Sequence, residues 1–389
     1  MKYSVLDLFA GCGGFAYGFK TVGDFEIKVA NDIWKPAQET YVYNNPQIPF
    51  ILDDIKNLKE DVFLKYFPDG VNVIIGGPPC QGFSMCGARD VNDERNDLFY
   101  EYARIVSYTR PYIFIMENVK GLLSMKNKKG FPVIQAIIDE FAKLRYNVKY
   151  TVLNSKYYNV PQSRERVIIV GTRADLPDNY EYPKPQLRED QIFTVADALA
   201  GLPNTDSING ELTSENYTNK YLELVRGDGK IYNHEIPNHN NNVVKRMEFV
   251  PQGGNWQDIP EGYRAGGIHS NAYRRLNLTM PSVTIKHAYK SMIIHPIYNR
   301  CLSIREVARI QSFNDNYIFK NTKTSQYQQL ANAVPPNLAK ALAISVKNYL
   351  YKNNLPFLNN KRELEFFQGT SSRKIKTEYT QLNIFDSEI

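Results

Sequence analysis

The sequence is poor in several features that would define other classes of protein. It has four cysteines, Cys12, Cys80, Cys86 and Cys301, with no CxxC pair and no secreted framework among them. Neither a disulfide scaffold nor a metal site is expected, and a reducing cytoplasm, where a free thiol can be a catalyst, is the natural setting. No apolar run reaches transmembrane length, and the segment from Met1 to Asp7 lacks the apolar stretch of a signal peptide. Residues 4–10 read instead as a first core strand. There are no internal repeats, and the glycine pattern GxGxxG is missing. Charge of one sign is also scarce: the net value is +6 with a pI near 8.8, mild for a protein that holds nucleic acid.

What remains is an ordinary globular composition, 43% hydrophobic and 23% charged over 389 residues, enough for one large domain and a smaller one. Ser4–Phe9, Val71–Ile75, Tyr112–Met116, Val148–Leu153 and Val167–Val170 read as buried strands. Leu98–Val106 and Val133–Leu144 read as helices between them. The second repeats Val133, Ile134, Ile137, Ile138, Phe141 and Leu144 at helical spacing. This alternation predicts an α/β fold with a mostly parallel sheet covered on both faces. After Gly171 the texture loosens, with Pro177, Pro183, Pro185 and Pro203, until helices are expected again at Leu302–Ile310 and Asn337–Val346. The expected division is 1–180, 181–319, a return to the first domain at 320–352, and a polar tail at 353–389. Counting charges, residues 172–244 carry 6 Lys/Arg against 12 Asp/Glu and residues 245–300 carry 8 against 3. A phosphate backbone would favour the second stretch, although a solvated surface explains either run.

The strand Val5–Phe9 runs into Ala10-Gly11-Cys12-Gly13-Gly14-Phe15, a turn through which backbone can approach a nucleoside closely, or simply a tight strand-to-helix connection. Asn31-Asp32-Ile33 follows a second apolar run, where a carboxylate can bind ribose hydroxyls. Leu52-Asp53-Asp54-Ile55 offers another, suited to an adenine amino group. Val73-Ile74-Ile75 leads into Gly76-Gly77-Pro78-Pro79-Cys80-Gln81-Gly82-Phe83-Ser84. Two prolines stiffen the backbone just before a thiol, and flanking glycines leave room for a substrate. Glu117 closes a buried strand and needs a partner or a substrate. Arg164 and Arg166, at i and i+2, point the same way and can clamp a phosphate or a base oxygen.

Together these residues resemble the DNA (cytosine-5) methyltransferases of bacterial restriction–modification systems. The motifs stand in the family's order: Asp7-Leu-Phe-Ala-Gly-Cys-Gly-Gly14, Gly77-Pro-Pro-Cys-Gln-Gly-Phe-Ser84, Glu117-Asn-Val119, Gln162-Ser-Arg-Glu-Arg166 and Gln329-Leu-Ala-Asn-Ala-Val-Pro-Pro336. Arg274-Arg-Leu-Asn-Leu-Thr-Met-Pro-Ser-Val-Thr-Ile285 resembles the segment beside the family's recognition region. The similarity covers roughly residues 3–350. There are two departures: Asp32 stands where the family usually has Glu, and Ala331 where it usually has Gly.

The resemblance implies a Rossmann-like fold for S-adenosylmethionine with a smaller target-recognition domain. It places the cofactor against Phe9, Ala10, Gly11, Gly13, Gly14, Asp32, Ile33, Asp54, Ile55, Pro78, Leu98, Asn332 and Ala333. It makes Cys80 the nucleophile at carbon 6 of a flipped-out cytosine, Glu117 the group at N3, Arg166 the ligand of the base oxygen, and Arg164 a contact to the neighbouring phosphate or loop. Side chains from about 226–300 are expected to read double-stranded DNA in the major groove. The enzyme is expected to act as a monomer, located with the nucleoid through DNA, alongside a cognate restriction endonuclease. Gln381-Leu382-Asn383-Ile384-Phe385 resembles a peptide that docks on the replication sliding clamp, or is an arbitrary tail. The competing readings are a tRNA cytosine methyltransferase, which would have a shorter insert, a regulator that has lost its catalytic residues, and a nicotinamide-dependent oxidoreductase, which leaves Gly77-Pro-Pro-Cys-Gln81 unexplained.

Overall fold

A computed structural model describes residues 2–68, 70–79, 98–126, 130–213, 217–264 and 272–358. Cys80, Cys86 and Gln381–Phe385 lie outside them. The sheet has seven strands: β1 (Tyr3–Leu8), β2 (Phe25–Asp32), β3 (Phe50–Leu52), β4 (Val73–Gly76), β5 (Ile113–Val119), β6 (Tyr146–Asn154) and β7 (Glu165–Arg173). Their order is β3-β2-β1-β4-β5-β7-β6. The first five are parallel, whereas β7 runs antiparallel to both β5 and β6. Every residue of β1 is buried, as a strand covered on both faces by helices must be. Each expected strand is present within a few residues of its expected bounds.

Eleven α-helices are described: α1 (Gly14–Val22), α2 (Lys35–Asn44), α3 (Glu60–Tyr66), α4 (Leu98–Thr109), α5 (Val133–Lys143), α6 (Val195–Leu199), α7 (Leu222–Val225), α8 (Asn241–Glu248), α9 (Ile304–Ile310), α10 (Lys323–Asn332) and α11 (Pro336–Lys352). In α5 the apolar stripe is the buried one, Val133, Ile134, Ile137, Ile138 and Phe141. Helix α9 opens on a capping box between Ser303 and Glu306, and α11 opens on Pro336, a residue that suits a first helical turn. Helix α10 escaped the periodicity because its face is polar: only Tyr327, Gln329 and Leu330 are buried. No described helix is long and apolar enough to cross a membrane.

The chain closes on itself through two small residues. On α1 a Cβ at Gly14 would stand 2.3 Å from Val334 O, and one at Gly18 would stand 2.4 Å from Ala339 Cβ. Glycine at these two positions lets α11, late in the chain, lie directly on α1. A further apolar cluster joins the polar stretch to the turn after β1: Val195, Tyr221, Ile285, Val307 and Tyr327 share it with Cys12 and Ala333. A two-stranded ribbon, β8 (Ser207–Thr213) with β9 (Lys230–His234), lies beside it.

Candidate active site

The parallel strands end on one edge of the sheet, and a cleft of about 590 Å³ opens there. The turn after β1 forms its floor. Phe9, Gly11 and Gly13 all have positive φ, 54°, 55° and 92°, so three of five residues turn left-handed. Phe9 holds that conformation without being glycine, a strain tolerated where surroundings over-determine it. Those surroundings are the end of β2. Ala10 N donates to Asn31 O at 2.9 Å, and Gly11 N donates to Asp32 Oδ2 at 2.9 Å. Asp32 Oδ1 also accepts from Trp34 N. Asn31 Nδ2 reaches the carbonyls of Ile51 and Asp53, both at 2.9 Å, and so brings the Asp53-Asp54 turn to the cleft. Asp54 itself caps the next turn by accepting from Lys56 N.

This half of the cleft is acidic. Asp7, Asp32, Asp53 and Asp54 line it with Lys56 as the opposing cation. Burial pushes the Asp7 carboxyl well above its usual range, and nearby Asp32 adds to that. Burial raises Asp32 too, against the hydrogen bonds it accepts. Asp7 Oδ1 is buried without a partner, so this wall holds an unused polar atom.

The other half is built by β4, β5 and β7. Glu117 Oε1 and Arg166 Nε stand 2.8 Å apart. A Cβ at Gly77 would lie 3.4 Å from Glu117 Oε2, an ordinary contact distance, so the residue before the prolines sits directly against that carboxylate. Asn118 Nδ2 donates to Pro78 O at 3.0 Å, which ties the Pro78-Pro79 loop to β5. Cys80 is the next residue but one. Arg164 is 2% exposed, and its Nη2 donates to Ala331 O and Ala333 O, each at 3.1 Å. Burial and the adjacent Arg166 pull its pKa down to about 9, which still leaves it charged at neutral pH.

A nucleoside-sized acidic pocket thus merges with a carboxylate–guanidinium pair beside the loop that leads to a thiol. The family model for C-5 cytosine-specific DNA methylase matches residues 3–348. The chain belongs to that family. As a DNA (cytosine-5) methyltransferase it is similar over nearly its whole length to curated enzymes. It is 38% identical to the Type II methyltransferase M.DdeI of Desulfomicrobium norvegicum, covering 90% of each chain. It is 35% identical to M1.HphI of Haemophilus parahaemolyticus, covering 89% of this chain and 87% of the other. A solved structure of an Escherichia coli prophage-encoded protein, assigned as a DNA modification methyltransferase, matches with TM-score 0.73 at 26% identity. That match covers 90% of this chain and all of the other.

Of the methylase residues expected from sequence, Phe9, Ala10, Gly11, Gly14, Asp32, Ile33, Asp54, Ile55, Pro78, Leu98, Asn332 and Ala333 line the cleft, as do Glu117, Arg164 and Arg166. Gly13 does not line it. A Cβ there would meet Tyr317 Oη at 2.7 Å and the Tyr41 ring at 2.9 Å, so this glycine serves packing beneath the turn. Arg164 turns to the C-terminal end of α10 through Nη2 rather than standing open to solvent. Sequence reasoning missed Asn31, Trp34, Asn118 and Gln329, all at the cleft. A polar residue at a buried strand end was the available signal for Asn31 and Asn118. In the basic stretch 245–300, Arg275 and Arg300 are buried. Arg275 bonds backbone carbonyls such as Val250 O and Met247 O, and Arg300 pairs with Glu306 at 2.8 Å. Two of the charges counted there are therefore inside the protein.

Proposed function

We propose that the enzyme methylates carbon 5 of a cytosine flipped out of a specific DNA duplex, with S-adenosylmethionine at the glycine-turn end of the cleft and Cys80 as nucleophile. The observation that carries this reading is the single cleft: it unites Phe9, Asp32 and Asp54 with Glu117, Arg166 and Pro79, the neighbour of Cys80. The residues fit the cofactor. Three carboxylates, Asp32, Asp53 and Asp54, against one lysine suit a ligand that carries positive charge at sulfur and ammonium, and the buried Asp7 Oδ1 has no hydrogen-bond partner in the protein. A pyrophosphate would be repelled there, which disfavours a nicotinamide dinucleotide.

Carbon 5 of cytosine is a poor nucleophile until the ring is activated. The Cys80 thiolate adds to carbon 6 while Glu117 holds N3 and its proton and Arg166 binds the base oxygen. S-adenosylmethionine, when bound, supplies an electrophilic methyl group for the activated carbon 5. Loss of the carbon-5 proton to water then lets Cys80 leave. Extrusion of the base costs roughly a few kcal/mol, recovered in the pocket.

Residues 1–180 and 320–352 form the catalytic domain in this reading, and 181–319 the recognition domain, with base-reading side chains within 226–300. The similarity to Type II methyltransferases supports a role as the modification enzyme of a restriction–modification system, and in this reading it works as a monomer beside a cognate endonuclease. Docking of Gln381–Phe385 on a sliding clamp is tested by a clamp pull-down with and without residues 381–389. An unchanged pull-down removes that partner.

The test of the whole reading is incubation with S-adenosylmethionine and unmethylated DNA of diverse sequence, followed by mapping of 5-methylcytosine at base resolution. Methylation confined to one short motif supports it. Methylation of RNA alone, or none, overturns it.

A further inference from the structure

Tyr317 lies beneath the glycine turn, outside the lining of the cleft. It is 2% exposed, and its hydroxyl donates to Cys12 O, the carbonyl between the left-handed glycines Gly11 and Gly13. The same peptide group is held at its other end, where Gly13 N donates to Ala10 O at 2.9 Å. Cys12 itself lines the cleft. Tyr317 belongs to the segment between α9 and α10, which side chains from three elements hold in place. From α9, Arg305 Nη2 donates to Tyr317 O at 2.8 Å. Asn44 of α2 clasps the N–H and carbonyl of Ile318 at 2.9 and 2.8 Å. Asn233 of β9 clasps Phe319 in the same way, with both bonds at 2.9 Å. The Tyr317 ring packs edge-on against Tyr17, with centroids 5.3 Å apart.

The Cys12–Gly13 peptide needs such an anchor. Glycine on one side makes rotation of that group inexpensive, because both signs of φ are open to it. A half-turn would swing the carbonyl away from Tyr317 and towards the cleft, and would break the bond to Ala10. In the assignment above, Asp32 and Asp54 take the adenosine, which leaves the amino acid end of S-adenosylmethionine to the glycine turn and Asn332. A carbonyl oxygen directed at that end would face a carboxylate, and two negatively polarised oxygens repel. A hydroxyl that holds the carbonyl on the far side keeps the turn receptive before any ligand arrives, which lowers the cost of binding.

We propose that Tyr317 is a positioning residue for the cofactor: its hydroxyl locks the Cys12–Gly13 peptide and so presets the turn for the amino acid end of S-adenosylmethionine. The inference rests on the cofactor assignment of the preceding section.

Tyr317→Phe keeps the ring and deletes the bond. Kd is measured for S-adenosylhomocysteine, for methylthioadenosine, which lacks the amino acid end, and for a DNA duplex without cofactor. S-adenosylhomocysteine should bind about fivefold more weakly than to the wild type, within the worth of one net hydrogen bond, while the other two values stay within about twofold. Tyr146→Phe is the control. It deletes another buried bond, Tyr146 Oη to Pro111 O at 2.8 Å, at the sheet edge where the parallel strands begin, and should leave all three values alone. Unchanged affinity for S-adenosylhomocysteine, equal losses for both small ligands, a matching loss for duplex, or an equal effect of Tyr146→Phe overturns the proposal. Should Tyr317→Phe fail to fold, hydrogen exchange in the unmodified enzyme decides. The Gly13 amide should be protected before any ligand is added, and free exchange there overturns the lock. A wild-type enzyme that binds no S-adenosylhomocysteine and methylates no DNA sinks the functional reading instead.

Discussion

Glu117 and Arg166 face each other, 2.8 Å apart, because β7 runs backwards beside β5. The register sets Val119 opposite Arg166. Glu117 lies two residues back on the same face, within diagonal reach of a long side chain. A parallel β7 would carry Arg166 to the other edge of the sheet, away from the cleft. The one reversed strand of the main sheet thus creates the pair.

Glu117→Gln preserves size and removes the charge. Single-turnover methyl transfer should slow by about 10²–10⁴, the range for a general acid–base group, with duplex binding retained. A rate near wild type would show that N3 is served by another group.

Cys80→Ser replaces a good nucleophile by a poor one of similar size. Turnover should vanish while gel-shift affinity for the duplex persists. Full methyl transfer by a clean preparation of this variant would end the nucleophile assignment.

Gly18→Ala tests the contact between α1 and α11. The new Cβ would stand 2.4 Å from Ala339 Cβ and 2.6 Å from Pro336 O. Overpacking of this kind costs about 1–3 kcal/mol, whereas alanine's better helix propensity returns at most about 1 kcal/mol. The expected net result is a lower midpoint in urea. An equal or higher midpoint would mean that α11 yields.

Acid should destabilise the fold through buried histidines. Burial pulls His295 down to about 4, against the pull of Glu306, and burial also lowers His234. Between about pH 6.5 and 4 the unfolded chain binds protons that the native chain refuses. Stability therefore rises with pH across that window and is lost as pH falls through it. For His295 alone the full effect is on the order of 3 kcal/mol. Urea unfolding at several pH values should show it, with a shallower slope in His295→Gln; equal slopes would locate the acid sensitivity elsewhere.

Much of the catalytic half was legible in the chain because its signals are local. Strand β1 is a short apolar run, α5 repeats its apolar residues at helical spacing, and Cys80 is framed by prolines and glycines that suit a rigid loop. Helix α10 and strand β3 were not legible: one buries only three side chains, and the other is three residues long. Gly13 read as a cofactor glycine from its turn, yet a Cβ there would meet Tyr317 Oη from the far end of the chain, while Gly14, which does line the cleft, also lies against Val334 O.

The sequence by itself determined which chemistry was available. It placed a thiol after two prolines, a carboxylate at a strand end and two arginines before another strand, and their order alone resembled one family. Only the tertiary structure decided how those groups are wired. The antiparallel β7 pairs Arg166 with Glu117, Asn118 ties the Pro78-Pro79 segment to β5, and Arg164 turns to the C-terminal end of α10. Local propensity and periodicity act within a few residues, whereas these bonds join segments distant in sequence, and their partners are chosen by strand direction and close packing.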